Sequence, residues 1–525
     1  MTAWYRAASI NGFSGSSPLL LTDASSLISN KYDYCDNEVN LVMSKLDRFL
    51  RRKDDAKKKQ KVSTPTDVHV IVLVHGILGN AMELDYLKLA LEREADAQNK
   101  RSTTEDTDTT TNHDETCPSS SSPTPPSQPL LESSPPASPL LVYRAHSNVG
   151  KTLDGVAAGG TRIADEVNHL VQKIHDRFLA QNGNSDIDNS NKEMVKVHLS
   201  FVGHSLGGLY SRHALSKIKW KTISSDGVID DNINKAGAYP KVFCTTASPH
   251  LGLHQQSSVP VPRFVEQTIA LTLQESGKDL FRMTPLLNQM AMDPMFVKPL
   301  QSFRSRLTYA NAYGTDFQVP AVTAAFIVDD EQSVKHKRVY NDDDEDFVVL
   351  RMQTQGSMAT EALSSSSSSS LNTNDNTDVD SKDGRRDEEE EQLIQPLSVS
   401  NSMLARHLDS MGWTKVWIDV RPLIPSLLPT SPEESRRQEQ EETVRSLFSR
   451  GSTSAEKGEE AELITSKDIY QSGISQRFDI TRFPMGHTVM VANSKSEAYA
   501  TLNAAGRPIM DRLAKDLIKS IFSVN

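Results

Sequence analysis

The sequence predicts an α/β fold whose central sheet is mostly parallel and flanked by helices, interrupted by long disordered insertions. Three observations carry that prediction. The run 68–74, VHVIVLV, is apolar on both parities, as a strand covered on both faces must be. A second β-rich run, VHLSFV from Val197, ends in Gly203-His204-Ser205-Leu206-Gly207 and passes at once into a helical stretch. Around these two, short β-rich runs alternate with helical periodicity, the order expected of strand–helix–strand units with right-handed crossovers.

The 525 residues suit one large domain with insertions better than two ordinary ones, because much of the chain is low in complexity. Apolar residues make up 37%, the net charge is -11, the pI is near 5.7 and the mean hydropathy is -0.46. This acidic balance gives no support to nucleic acid as a partner. Cys35, Cys117 and Cys244 share no metal or redox spacing and read as reduced thiols, with Cys244 a buried strand residue. No segment is long and apolar enough for a transmembrane helix. The first residues lack the basic start and continuous apolar run of a secretory signal. An intracellular location is expected, cytoplasmic or peripheral on a membrane or lipid surface. The arginine and the absence of acids ahead of Asp23 are also compatible with organelle targeting.

Taken in order, residues 1–64 read as an N-terminal extension, partly disordered, whose RRKDDAKKKQK run is a solvated face. Residues 65–525 form the α/β domain. After VHVIVLV comes His75-Gly76-Ile77-Leu78-Gly79-Asn80, then a helix from about Ala81 to Ala95. Residues 98–139 are almost wholly Ser, Thr, Pro, Asp and Asn, a composition that buries too little apolar surface to order itself. Leu140 to Ala145 is a strand. The glycine-rich connection that follows contains Gly150-Lys151-Thr152 but lacks the upstream glycines of a phosphate loop. Ile163, Val167, Leu170, Val171, Ile174 and Phe178 form one helical stripe. The Ser205 helix is expected over about 207–220 and a strand over 241–247, leading into Ser248-Pro249-His250-Leu251-Gly252. The stretch 253–300 is helix-like and apolar, suited either to a cap over a site or to core packing. Arg306 to Ala312 is a strand delivering Asp316. Further disordered insertions are expected at about 329–398 and 430–460, with a helix at 402–410 and a strand at 414–420 between them. A last strand or loop edge at 477–481 precedes Met485-Gly486-His487. A terminal helix buries Ile509, Leu513, Leu517, Ile518 and Ile521.

The chemistry follows from the turn at Ser205. A serine there, with Gly203 and Gly207 two residues to either side, presents its hydroxyl above the sheet end, and the Leu206 N–H lies at the helix start. His204, inside the turn, reads as structural. A hydroxyl needs a base to take its proton and a carboxylate to hold that base. In this architecture they follow in the order Ser, acid, His, which Ser205, Asp316 and His487 satisfy. His250 is the rival base and His69 a bland one. Asp293 and Asp419 are the alternative acids. The second oxyanion donor belongs in the glycine turn, with Ile77 the choice among Gly76, Ile77 and Leu78, supported by His75 and Gly79. This scheme requires no metal and no organic cofactor.

The stretches HVIVLVHGILGN, FVGHSLGGLYSRHAL, TTASPHLG, SGKDLF, RSRLTYANAYGTDFQVPAVTA and GHTVMV resemble the serine esterase family designated DUF676, a lipase-like branch of the α/β-hydrolases. The resemblance implies an α/β-hydrolase fold with the nucleophile at Ser205, the acid at Asp316, the base at His487 and the oxyanion loop at His75 to Gly79. It implies a serine esterase or lipase acting on a lipid or other hydrophobic ester, such as acylglycerols or (lyso)phospholipids, with peripheral contact to a lipid surface. A lipid acyltransferase using the same acyl-enzyme is an alternative. A catalytically inactive interaction protein is another.

Overall fold

The computed structural model describes residues 37–51, 67–104, 138–182, 195–221, 237–254, 263–330, 335–339, 341, 344–354, 399–424, 436, 440, 463–475, 485–493 and 497–523. A helix over 37–51 (α1) comes first. It is followed by β1 (Asp67–Val74), α2 (Asp85–Thr104), β2 (Leu140–Arg144), α3 (Val156–Asn182), β3 (Lys196–His204), α4 (Leu206–Ala214) and β4 (Ala238–Thr246). Four helices succeed one another at Arg263–Thr272 (α5), Gln274–Leu280 (α6), Leu286–Met292 (α7) and Pro294–Gln301 (α8). Then come β5 (Ser305–Asn311), β6 (Lys335–Arg338), β7 (Val348–Thr354), α9 (Asn401–Asp409), β8 (Thr414–Ile418), β9 (Leu463–Thr465) and, after short turns of helix, α10 (Arg507–Phe522).

The nine strands named form one sheet in the order β2-β1-β3-β4-β5-β8-β7-β6-β9. The first six are parallel, and β7, β6 and β9 extend the sheet antiparallel. The both-parity apolar pattern of β1 has the expected cause. Val68, Val70, Val72 and Val74 join the core on one face with α1, α3, α4 and α7, while Ile71 and Leu73 join the core on the other with α2 and α10. In β3, Val197, Leu199 and Phe201 likewise face one side and Val202 the other. The chain runs from β1 outward to β2 and then returns to the opposite side of β1 as β3. The carboxyl ends of β1 and β3 are therefore the point where strand order reverses, the place where open α/β sheets form their ligand crevice.

Several boundaries differ from those the sequence suggests, each for a physical reason. α3 begins at Val156, so Gly159 and Gly160 lie inside a helix. A Cβ on Gly159 would sit 2.3 Å from the Tyr210 ring, and one on Gly160 would sit 2.5 Å from His213, so these glycines let α3 approach α4. Two strands, β6 and β7, fall within the stretch 329–398 expected to be disordered. The acidic run before Phe347 hides the apolar residues of β7, of which Val349, Leu350 and Met352 are buried. The remaining insertion positions 105–137, 355–398 and nearly all of 430–460 lie outside the described residues, as do 1–36 and the expected edge at 477–481. In the stretch 253–300, Leu273, Leu280, Leu287, Met290 and Leu300 are buried in the core beside α4, while Phe264, Leu271, Met283 and Met295 are exposed. Among the described residues, no helix is long and apolar enough to cross a membrane.

α1 docks through Val39, Val42, Leu46 and Leu50, all buried. Beside them the Glu38 carboxylate pairs with Lys88 of α2 and with Arg144 of β2, whose Nη2 is 2.8 Å away. Burial alone raises a carboxyl's pKa, but the hydrogen bonds and charges of Arg144 and Lys88 outweigh it and hold Glu38 at about 2. A carboxyl depressed below its ordinary value stabilises the fold above that value and ceases to do so as pH falls. Glu38→Gln is therefore expected to cost about 2–4 kcal/mol at neutral pH. In urea titrations, the gap from wild type should narrow as pH falls from about 4.5 toward 2. A gap that stays constant over that range would show that Glu38 is not held as the anion.

Candidate active site

The site is built at the carboxyl ends of β1, β3 and β5. Ser205 stands between β3 and α4 with φ 56 and ψ -129, a left-handed backbone that costs a non-glycine residue of order 1–3 kcal/mol. Its surroundings hold it there. The Ser205 N–H donates to Thr246 O of β4 at 2.9 Å, and its own carbonyl accepts from Gly208 N–H at 3.1 Å. A Cβ on Gly203 would lie 2.5 Å from Gly208 Cα, and one on Gly207 would lie 2.2 Å from Val74 O. The strand, the turn and the helix can close on one another only because both positions lack a side chain. The Leu206 N–H opens α4, where the helix dipole favours negative charge.

The loop after β1 lies directly against the serine. A Cβ on Gly76 would be 2.7 Å from Ser205 Cβ and 3.2 Å from Ser205 Oγ. The Leu78 N–H donates to Thr152 Oγ1 at 2.9 Å and the Gly79 N–H to Gly76 O at 3.2 Å. Both are thus taken, and the Ile77 N–H, one residue before Leu78, is the donor of this turn that suits the sequence expectation. His75 is buried, with Nδ1 3.1 Å from Gly76 O. Gly79 gives room to the buried Glu83, whose carboxylate oxygen would stand 2.5 Å from a Cβ at that position.

Asp316 and His487, separated by 171 residues, meet at 2.9 Å between Oδ2 and Nδ1. A carboxylate only accepts, so Nδ1 carries the proton and Nε2 is left as an acceptor. Asp316 is nearly fully enclosed. Its Oδ1 accepts from the N–H groups of Gln318 and Val319, both at 2.8 Å, and its Oδ2 accepts from Asn311 Nδ2 at 2.8 Å. These three donors orient the carboxylate and leave Oδ2 aimed at the imidazole. The segment of His487 is docked by backbone: Met485 bridges Asp316 in antiparallel fashion, and Gly486 N–H donates to Thr315 O at 3.0 Å. A Cβ on Gly486 would approach Thr315 O to 2.6 Å, so glycine is needed immediately before the histidine.

His204 lies against the His487 ring, with centroids 4.6 Å apart. Its Nδ1 is 3.0 Å from Thr246 Oγ1. Complete burial, with the neighbouring His487 next in importance, pushes its pKa well below the usual imidazole range, so it packs as a neutral ring. Because His204 adjoins Ser205 in the chain, this tilted ring contact sets His487 beside the elbow.

The rival residues are engaged elsewhere. His250 is wholly buried, its Nε2 2.9 Å from Thr245 Oγ1 and its Nδ1 3.3 Å from Arg212, with its ring edge-on to Phe326 and Trp413. His69 stacks on His198, and burial holds it down to about 3. Asp293 caps α8 by accepting from Met295 N–H, and Asp419 pairs with Arg421 at 2.9 Å. Sequence reasoning did not find Asn311, Gly486 or Thr152. Of these, only Gly486 carried a local signal, as the glycine beside the candidate histidine. Among the described residues, no group of three or more His, Cys, Asp or Glu could hold a metal ion.

Residues 130–327, which include Ser205 and Asp316 and end before His487, match the family described as "Putative serine esterase (DUF676)". A curated relative, "Putative lipase ROG1" of Saccharomyces cerevisiae, is 28% identical over 199 residues, 37% of this chain and 24% of that protein. The match therefore spans about a quarter of that relative's length. Among solved structures, a gene product of Listeria innocua (lin2722) is 12% identical, over 49% of this chain and 74% of its own, with a TM-score of 0.21. Lipase 1 from Pelosinus fermentans is 13% identical, over 51% of this chain and 78% of its own, with a TM-score of 0.20. Both likenesses are too slight to bear on the fold. The family links the DUF676 segment of this chain to esterase- and lipase-like hydrolases.

The close approach of Gly76 gives a direct test of the site. Gly76→Ala is expected to displace Ser205 and slow its labelling by a fluorophosphonate probe by about 10- to 100-fold, since a misplacement near 1 Å has that scale of effect. Far-ultraviolet circular dichroism should be unchanged. Wild-type labelling rates in the mutant would mean that the β1 loop does not border the nucleophile.

Proposed function

We propose that this protein is a serine hydrolase that cleaves carboxylic esters through an acyl-enzyme at Ser205. The observation that carries the reading is the strained Ser205 elbow beside a histidine whose Nδ1 is bonded to a buried carboxylate. Ser205 Oγ attacks the acyl carbonyl as His487 Nε2 takes its proton, and Asp316 stabilises the imidazolium that results. The negative charge that grows on the carbonyl oxygen is met by the N–H groups of Ile77 and Leu206. His487 then gives its proton to the departing alcohol, and water repeats the sequence in reverse to release the acid.

The substrate in this reading is a lipid ester, an acylglycerol or a (lyso)phospholipid. The family's esterase and lipase character supports it, as do the exposed apolar side chains Phe264, Leu271, Met283 and Met295 on the helices of 263–301, suited to an apolar substrate or a lipid surface.

Ser205→Ala is expected to abolish ester turnover and probe labelling while the melting temperature stays close to wild type. Equal turnover by mutant and wild type would remove Ser205 from the mechanism. The two histidines are separated by burst kinetics with an activated ester. His487→Ala should lose the acylation burst, with a fall of at least about 10³-fold. His250→Ala, with native circular dichroism, should retain the burst, because its ring is engaged with Thr245 and Arg212. The opposite pattern would exchange their roles.

A further inference from the structure

We propose that Thr152 is a positioning residue that sets the oxyanion loop and couples it to the helices at 263–301. The inference rests on the hydrolase reading of Ser205 and extends it to a residue outside the triad. Thr152 belongs to the Gly150-Lys151-Thr152 stretch, whose resemblance to a phosphate loop goes no further than those three letters. In the fold it is buried in the connection between β2 and α3. Its Oγ1 accepts the Leu78 N–H at 2.9 Å. Its carbonyl accepts two hydroxyls, Tyr210 Oη and Ser276 Oγ, each at 2.7 Å. Tyr210 lies on α4, the helix that starts at the nucleophile, and Ser276 lies on α6. One residue thus bonds the loop that carries the Ile77 N–H, the nucleophile helix and the helices beside the site.

Leu78 shows why that bond matters. It sits at φ 52, a left-handed conformation unfavourable for a branched side chain, and it is 47% exposed. The hydrogen bond to Thr152 Oγ1 offsets that strain. Without it, the turn that aims the Ile77 N–H at the developing oxyanion relaxes. The link to α6 is reinforced at Ser276 and three residues after it: Ser276 Oγ accepts the Gly155 N–H at 3.0 Å, and Asp279 Oδ2 accepts the Val156 N–H at 2.8 Å. Any displacement of α6 therefore pulls on the loop that holds Leu78, and the oxyanion loop responds to the position of the neighbouring helices.

Thr152→Val keeps the shape and removes the acceptor, whereas Thr152→Ser keeps the acceptor. With an activated ester, Thr152→Val is expected to lower kcat by about 10- to 100-fold with KM within about twofold, a fraction of what loss of a whole oxyanion donor costs. Affinity for an alkyl boronic acid, which forms a tetrahedral anion on Ser205, should fall by the same factor, while inhibition by the uncharged product alcohol should not change. Thr152→Ser should restore both to within about threefold of wild type. A merely structural threonine would move the alcohol and boronate affinities together. Wild-type kcat and boronate affinity in Thr152→Val overturn the proposal, and so does a parallel loss of alcohol affinity. Should Thr152→Val fail to fold, Ser276→Ala carries the test: the same selective loss in smaller measure is expected, and unchanged kcat and boronate affinity overturn the coupling. Ser205→Ala keeps the two levels apart. If it retains turnover, the hydrolase reading itself fails. If it is inactive while Thr152→Val behaves as wild type, only the role of Thr152 falls.

Discussion

The parallel pairing of β1 with β3 is the constraint on which the site depends. The two strands run in register from Asp67 opposite Lys196 to Val74 opposite Gly203, so both end at the same level. The turns that leave them, HGILG and GHSLG, must then share one small volume. Gly207 meets the carbonyls of Val74 and His75, and Gly76 meets Ser205 itself. The strain at Ser205 persists because the sheet on one side and α4 on the other leave the backbone no other path. Slipping the β1–β3 register by one residue would turn each apolar set toward the wrong layer, so the two cores on opposite faces of the sheet hold the elbow in place.

Asp316 and His487 are held differently. Asp316 is fixed by a closed set of donors, Asn311 at the end of β5 and two consecutive backbone N–H groups of the loop that follows, which is local structure. His487 has no strand of its own among the described residues and is held by a short backbone bridge to that loop and by the ring of His204. His487 is thus attached to Asp316 and to the Ser205 turn, while the sheet carries it only indirectly.

How much of this could be read from the sequence depends on how local each cause is. The elbow was legible because a sharp strand-to-helix turn demands particular residues within a few positions. Asp316 and His487 were legible by chain order, and their meeting agrees with it. Asn311 and Thr152 were not: an asparagine at the end of a strand carries no sign that it will turn toward Asp316 five residues on, and a threonine in a glycine-rich loop meets Leu78, Tyr210 and Ser276 only through the fold. The strands β6 and β7 were missed because DDDED dominates the composition around them, whereas a short antiparallel strand needs only a few buried residues on one face. The helix α3 was placed late for a related reason: its paired glycines look like a loop until the Tyr210 ring packed against them is seen.

The bridge between Asp316 and the segment at Met485 also bears on what this chain can tolerate between them. The entropy of bringing two distant points of a chain together grows only with the logarithm of the intervening length, so each doubling adds about 0.6 kcal/mol. A histidine delivered by its own docked segment can therefore sit beyond a stretch of almost any length, provided that the last few residues still fit against Thr315. Growth of the chain ahead of His487 is in this sense nearly neutral, whereas a single methyl group at Gly486 is not.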